Sequence, residues 1–385
     1  MMLTLLKNAR LHAPEPKGLC HLLIGDGRIA AIVPADAGSA LPAQGPAVTV
    51  EDLEGRRVIP GLVDPLVHFI GGGGEGGFGT RTPELGLDEA LASGVTTLVG
   101  ALGTDALTRT PANLLGKARE LAAGGLSTYC YTGSYQLPPV TVTGSVASDI
   151  AFIPEFIGLG EVAISDHRGS QPSREELTRL AAETRTAGML AGKGGIVFIH
   201  TGDAEGGLEP LREAARHSAL PLAQFLPTHI NRTAELFEDG LRFGREGGRI
   251  DFTTSTTPEL LADGEVPAAL AVARALEARV DPSRITLSSD ANASLPRFDA
   301  EGRFAGLQPG RLGSLFETLG ECIERHGVAF DQAIGAASTH AADALGLPRK
   351  GRLQAGHDAD LLVLSDDAWA IDEVWAMGRR VHRRP

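Results

Sequence analysis

GIVFIHTG at residues 195–202, LEPLREAARHS at 208–218, FLPTHIN at 225–231 and ELFEDGLRFGREG at 235–247 make two consecutive copies of one rhythm. Each copy is a short apolar run, a loop, and a stretch whose apolar residues recur at helical spacing. Short apolar runs bounded by glycine fit strands buried on both faces. Their alternation with helical stretches implies parallel βα units. The rhythm stands upstream too, in TTLVGALG (96–103) followed by NLLGKARELAAG (113–124). The centre of the chain therefore reads as an α/β fold, a closed (β/α)8 TIM barrel over about residues 58–346.

The two ends have another texture. LTLLKNARLHAP (3–14), GLCHLLIGDGRIAAIVPA (18–35) and AVTVEDLEGRRVIPG (47–61) alternate short strands with turns, and Gly25-Asp26-Gly27 is a hairpin signal. The pattern returns in GRLQAGHDADLLVLSDDAWAIDEVWAMGRRV (351–381). Strands from both termini can pair, giving one small discontinuous β-sandwich domain, residues 1–57 with 347–385, around the barrel.

At 385 residues the chain has room for such a pair of domains. Its formal charge of -13 argues against nucleic acid, which wants an excess of Lys and Arg. Cys20, Cys130 and Cys322 are widely spaced and in no CxxC arrangement, which predicts free buried thiols in a reducing compartment. No apolar run approaches the roughly 18 residues of a membrane span, and the N-terminus lacks a cleavable leader pattern; the expected location is the cytoplasm.

The apolar runs end in chemistry. IPGLV (59–63) leads into Asp64 and His68, FIGLG (156–160) into Glu161, GIVFI into His200, PLAQFLPT (221–228) into His229, and RITLSS (284–289) into Asp290. In a parallel barrel the residues past the strand ends converge on one mouth. Imidazoles and carboxylates there offer the donors zinc accepts, with room for a water. A lone histidine at a strand end is more often a hydrogen-bonded core residue, but His200 and His229 stand on successive units with an acid upstream. Glu161 lies in an apolar setting and needs a partner, a metal in preference to Arg168. Asp290 reads as base or ligand, with a helix cap as its dull alternative. His68 is the weaker candidate, a ligand or a water-binding group. Such sites ordinarily open on His-x-His, and here the first position is Leu66. The glycine run Gly71–Gly77 lacks the GxxxxGK[ST] pattern, so it is a lid or bare backbone near a substrate, with Glu75 able to meet an amine. Arg168 and Arg232, each just beyond a proposed ligand, suit a carboxylate.

HFIGGGGEGG (68–77), TRTPE (80–84), VGALGTD (99–105), YTGSYQLP (131–138), TGSV (143–146), AISDHR (163–168), HTGD (200–203), LPTHINR (226–232), LSSDANAS (287–294) and GHDADLLVL (356–364) together resemble the metal-dependent amidohydrolase superfamily. Within it the chain is most similar, along essentially its whole length, to the isoaspartyl (β-aspartyl) dipeptidases. That resemblance implies hydrolysis of the isopeptide bond of a β-aspartyl dipeptide by a metal-activated water, in a homo-oligomer. It implies that His200 and His229 bind metal, that Asp290 is the catalytic acid–base, and that Tyr135 polarises the scissile carbonyl. Glu75, with backbone around Gly73, would receive the α-amine. Thr104 and Ser294 would meet the isoaspartyl carboxylate, and Arg168 and Arg232 the C-terminal one.

Two positions depart from that family. Leu66 replaces its first histidine, and Glu161 its bridging carboxylated lysine. Glutamate has roughly 3–4 Å less reach at ~1.5 Å per bond, which predicts that it binds one ion without bridging two. The expectation is one zinc ion per chain on Glu161, His200 and His229, similar to N-acetylglucosamine-6-phosphate deacetylases, with at most a weak second ion at His68 and Asp290. The alternatives are an N-acyl amino acid deacylase or cyclic-amide hydrolase, or a catalytically impaired homologue that only binds ligand.

Overall fold

The computed structural model describes residues 3–37, 41, 47–299 and 303–385. Five strands open the chain: β1 (Leu3–His12), β2 (Pro16–Gly25), β3 (Arg28–Pro34), β4 (Val48–Asp52) and β5 (Arg57–Pro60). The β2–β3 hairpin turns on Asp26 and Gly27, both at positive φ (55° and 75°), with Gly25 paired to Arg28. That backbone twist matches the twist of the flanking strands.

Eight strands follow: β6 (Leu62–Val67), β7 (Val95–Gly100), β8 (Ser127–Thr132), β9 (Phe156–Ile164), β10 (Ile196–Thr201), β11 (Phe225–Thr228), β12 (Ile250–Thr253) and β13 (Ile285–Ser288). β6 to β11 pair in sequence order as one parallel sheet, and β12 pairs β13 in parallel. Both gaps between the sheets are crossed. Ile230 N, just past β11, bonds Asp251 O in β12 at 3.3 Å, and Val67 at the end of β6 forms a parallel bridge with Ala291 beyond β13. Apart from β8, every residue of these strands is buried, which is why they read as unbroken apolar runs rather than alternating ones. The arrangement is TIM-barrel-like.

The helices that cover the strands form for local reasons. In Ala234–Arg245, Thr233 caps the first turn by accepting from Leu236 N at 3.1 Å, Glu235 sits at the positive end, and Arg242 and Arg245 at the negative end. Leu236, Phe237, Gly240, Leu241, Phe243 and Gly244 are its buried face. Burying each large apolar side chain contributes about 1.5–3 kcal/mol. Gly240 sets the helix-to-strand distance: a Cβ there would stand 2.1 Å from Ile230 Cγ2.

After a short antiparallel pair, β14 (Ser294–Phe298) and β15 (Phe304–Pro309), the chain ends in β16 (Leu361–Leu364), β17 (Ile371–Ala376) and β18 (Arg379–Arg383). β16 pairs antiparallel with β5, Leu362 opposite Ile59, so the two termini meet. They form one eight-stranded sheet, β18-β17-β16-β5-β1-β2-β3 with β4 also on β1, rather than the two sheets of a sandwich. Its side chains alternate. Val58, Leu361 and Val363 join a cluster with Leu6, Leu22 and Trp375, while Ile59, Leu362 and Leu364 join the main core. Bonds from Ile29 N to His357 O and from Ala359 N to Gly27 O bring the hairpin back against the approach to β16. The sheet thus curls round its own core, and β5 lies wholly within it, past a boundary drawn at residue 58.

Candidate metal centre and substrate pocket

The strand ends deliver the expected groups to one place. His68 follows β6, His200 is the penultimate residue of β10, His229 follows β11 and Asp290 stands two residues past β13. His229 and Asp290 have left-handed backbones (φ 63° and 53°), the turns that swing them over the mouth. Glu161 differs from expectation: it lies inside β9, not at its end, because the apolar residues Val162 to Ile164 continue the pairing with β10.

Glu161 Oε1 lies 3.1 Å from His200 Nδ1 and 3.2 Å from His229 Nε2. Among the described residues these three are the one His/Cys/Asp/Glu set whose ligand atoms all lie within 4.8 Å of one another. Glu161 Oε2 is buried without a hydrogen-bond partner. Orphan carboxylate oxygens in a dry site are costly unless a cation joins them. The trio therefore fits a divalent ion: two imidazoles and a carboxylate, a donor set zinc accepts. Burial pushes the Glu161 pKa up, but the bonds and charges of His200 and His229 outweigh it and hold it well below the usual carboxylate range. Burial, then the Arg232 charge, lowers His229 to about 4, so its lone pair stays available.

His68 donates through Nδ1 to Ala101 O at 3.2 Å, leaving Nε2 facing Asp290 Oδ1 at 3.1 Å and Glu161 Oε2 at 3.7 Å. Glu161 turns Oε1 to His200 and His229, while Oε2 stands 3.7 Å from His68 Nε2, beyond hydrogen-bond distance. Leu66 offers no donor. It is buried with Val63, Val99, Tyr131 and Phe198, filling with apolar contacts the space an imidazole could have used.

A cavity of about 60 Å³ gathers the remaining groups: Tyr135, Arg168 and Arg232 with Gly73, Glu75, Thr104 and Ser294. The Tyr135 hydroxyl is 2.6 Å from His200 Nδ1; burial, then the Glu161 charge, raises its pKa well above the usual value, keeping it a donor. Glu75 accepts from Thr104 Oγ1 at 2.8 Å and meets Arg168 NH1 at 3.5 Å across the cavity. Gly73 has φ 72°, and a Cβ there would stand 2.5 Å from Thr80 O, so bare backbone is required beside Ser294. A larger cavity of about 700 Å³ beside residues 202–207 holds none of these groups, and its Arg212, Arg216 and Arg242 are each paired with acids.

Several residues that position the site were not singled out from sequence. Asp166, buried beside the exposed His167, contacts both His200 and Arg168. Arg109 donates to the carbonyls of Ile70, Gly73 and Thr82, and so pins the glycine run as fixed backbone at Gly71–Gly73 rather than as a loose lid. Asp64, which the sequence did mark at the end of its apolar run, accepts from Leu66 N and Ser289 N, tying β6 to the strand that carries Asp290. For the other two, only the short spacing of Asp166 from Arg168 could have signalled any of this.

Similarity to known proteins places the chain in a family. The β-aspartyl dipeptidase of Fervidobacterium islandicum AW-1, solved in complex with the β-Asp-Leu dipeptide, superposes with a TM-score of 0.90 at 39% identity, covering 99% of this chain and 96% of that one. A second structure of the Fervidobacterium islandicum enzyme gives 0.89 at 37% identity, covering 99% and 97%. Among curated sequences, an imidazolonepropionase of Symbiobacterium thermophilum is 28% identical over 92% of this chain and 85% of its own length. Residues 57–381 match the profile of the amidohydrolase family. A barrel mouth with this ligand set and a match over most of the length lead to one assignment: the chain belongs to the amidohydrolase family.

Proposed function

We propose that this hydrolase cleaves the isopeptide bond of β-aspartyl dipeptides. The observation that carries the reading is the pairing of opposite charges around the Glu161–His200–His229 floor: Glu75 on one side, Arg168 and Arg232 on the other, Arg232 without an ion partner among the described residues. A free dipeptide has an amine for the first and a carboxylate for the second. Its two ends would replace the Arg168–Glu75 contact that now spans the cavity. The likeness to the Fervidobacterium enzymes supports the same substrate class.

A divalent ion on Glu161, His200 and His229, zinc in our reading, would polarise the carbonyl and lower the pKa of water. Asp290, which lines the cavity beside the trio, accepts the proton of the attacking water and returns it to the leaving amine. Tyr135 stays protonated and donates to the carbonyl oxygen as negative charge builds there. Thr104 and Ser294 receive the isoaspartyl carboxylate. His68, its ring fixed through Nδ1, stands beside Asp290 and is at most a weak ligand of a second ion.

The same proposal takes the strands and helices within residues 58–346 that follow β5 as a closed (β/α)8 barrel, and residues 1–57 with 347–385, together with the rest of β5, as the β domain. It makes the protein a cytoplasmic homo-oligomer. Cys20, Cys130 and Cys322 are all free and buried, which supports a reducing compartment. Among the described residues no helix is long and apolar enough to cross a membrane. The test is purified protein offered β-Asp-Leu, α-Asp-Leu and N-acetyl-leucine. Cleavage of the first well above the other two is expected; preference for the acyl amino acid would move the reading to a deacylase.

A further inference from the structure

Asp166 stands two residues past β9, only 4% exposed, and both of its oxygens are used. Oδ2 is 2.9 Å from His200 Nε2 and 2.6 Å from Arg168 NH2. Oδ1 accepts from Arg168 Nε at 3.0 Å and from the Arg168 backbone N at 2.8 Å. One carboxylate thus touches a residue of the metal floor and a residue of the substrate wall. We propose that Asp166 is a positioning residue shared by both: it sets the tautomer of His200 and the exposed edge of Arg168 together.

The chemistry of each bond fixes the direction of the effect. A carboxylate only accepts, so His200 Nε2 must carry the proton and Nδ1 keeps its lone pair toward Glu161. An amide in place of the carboxylate could turn its NH2 to Nε2 and stabilise the opposite tautomer, with a proton where the ion should bind. On the other side, Asp166 engages the Nε–NH2 edge of Arg168 and leaves NH1 toward Glu75 and the cavity. Without the charge the guanidinium is free to rotate that edge away from a substrate carboxylate.

The substrate half of this inference rests on the dipeptide reading; the metal half does not. The experiment compares full-length wild type, Asp166→Asn and Arg168→Met, each by zinc competition against a chromophoric chelator and by kcat and KM on β-Asp-Leu and its C-terminal amide. Asp166→Asn should bind zinc about 10- to 100-fold more weakly, the usual effect of losing such an outer partner, and raise KM for the free acid more than for the amide. Arg168→Met should raise KM with zinc affinity within about twofold of wild type. Zinc affinity unchanged in Asp166→Asn overturns the proposal, and so does weakened zinc with KM unmoved, or equal weakening in Arg168→Met. If Asp166→Asn fails to fold, Asp166→Glu decides, because it keeps the charge: zinc affinity recovering to within a few fold is expected, and loss of zinc as in a metal-free protein overturns it. Wild type that holds zinc but leaves β-Asp-Leu uncut counts against the dipeptide reading alone, and the zinc comparison then decides this inference.

Discussion

Replacing Arg232 by Met separates substrate capture from folding. Arg232 lines the cavity half-buried, and among the described residues its guanidinium donates no hydrogen bond and has no ion pair. Its charge reaches only as far as lowering the pKa values of neighbours such as His229 and Glu265. Removing it therefore breaks no hydrogen bond or ion pair among the described residues, and the folded protein should keep its stability to within about 0.5 kcal/mol. What is lost is one charge-assisted bond to the substrate carboxylate, worth about 1.5–3 kcal/mol, or roughly 10- to 150-fold in kcat/KM. The loss should appear in KM and be specific: the amidated dipeptide, which has no carboxylate to offer, should be nearly indifferent to the change. Arg168→Met is the informative contrast, because it also strips Asp166 of two side-chain bonds while that carboxylate stays buried, and should lower the melting temperature as well. The assay is steady-state cleavage of β-Asp-Leu and β-Asp-Leu-amide by both variants, with thermal melts alongside. An Arg232→Met enzyme that loses the same factor on the acid and the amide would refute the carboxylate clamp.

Tyr135→Phe should retain its zinc and lose about 10²- to 10³-fold in kcat, the cost of one oxyanion donor, checked by metal analysis and turnover on the same preparation. Asp290→Asn should likewise keep metal and fall about 10²- to 10⁴-fold in kcat, as loss of a general base does. Burial raises the Asp64 pKa to about 7 from 3.8, against the opposing bonds from Ser289 and Leu66. A raised folded pKa means stability fully present below the unfolded value and lost as pH rises through about 7. Asp64→Asn should therefore flatten the decline in melting temperature between pH 5 and 8; an unchanged slope would remove Asp64 as its source. Gly240→Ala sets a helix-propensity gain of about 1 kcal/mol against overpacking on Ile230 of about 1–3 kcal/mol, so chemical denaturation should show a net loss.

The barrel was legible because strands buried on both faces leave unbroken apolar runs, and the runs ending in His200, His229 and Asp290 needed no tertiary knowledge to align. The terminal strands were legible as strands, but not how they join: whether Val58 and Leu361 share one curled sheet or two facing ones is set by sheet twist, which no alternation pattern records. Glu161 was found but misplaced, since nothing in FIGLGEVAI marks where the mouth crosses that strand. Asp166 escaped notice because its value comes from an imidazole 34 positions away. In sequence, nothing sets Asp166 apart within Ser165-Asp166-His167-Arg168, and the neighbouring His167 is exposed.

In our reading Leu66 and Glu161 leave one tight cation site, on Glu161, His200 and His229. Only that trio gathers its donors within a single coordination sphere among the described residues, while His68 and Asp290 keep each other company beside it. The direct measurement is metal stoichiometry by elemental analysis after exhaustive dialysis, with wild type and Glu161→Gln side by side. The account predicts one zinc ion per chain in wild type and none in the variant. Two ions per chain at full occupancy, or zinc retained by Glu161→Gln, would contradict it.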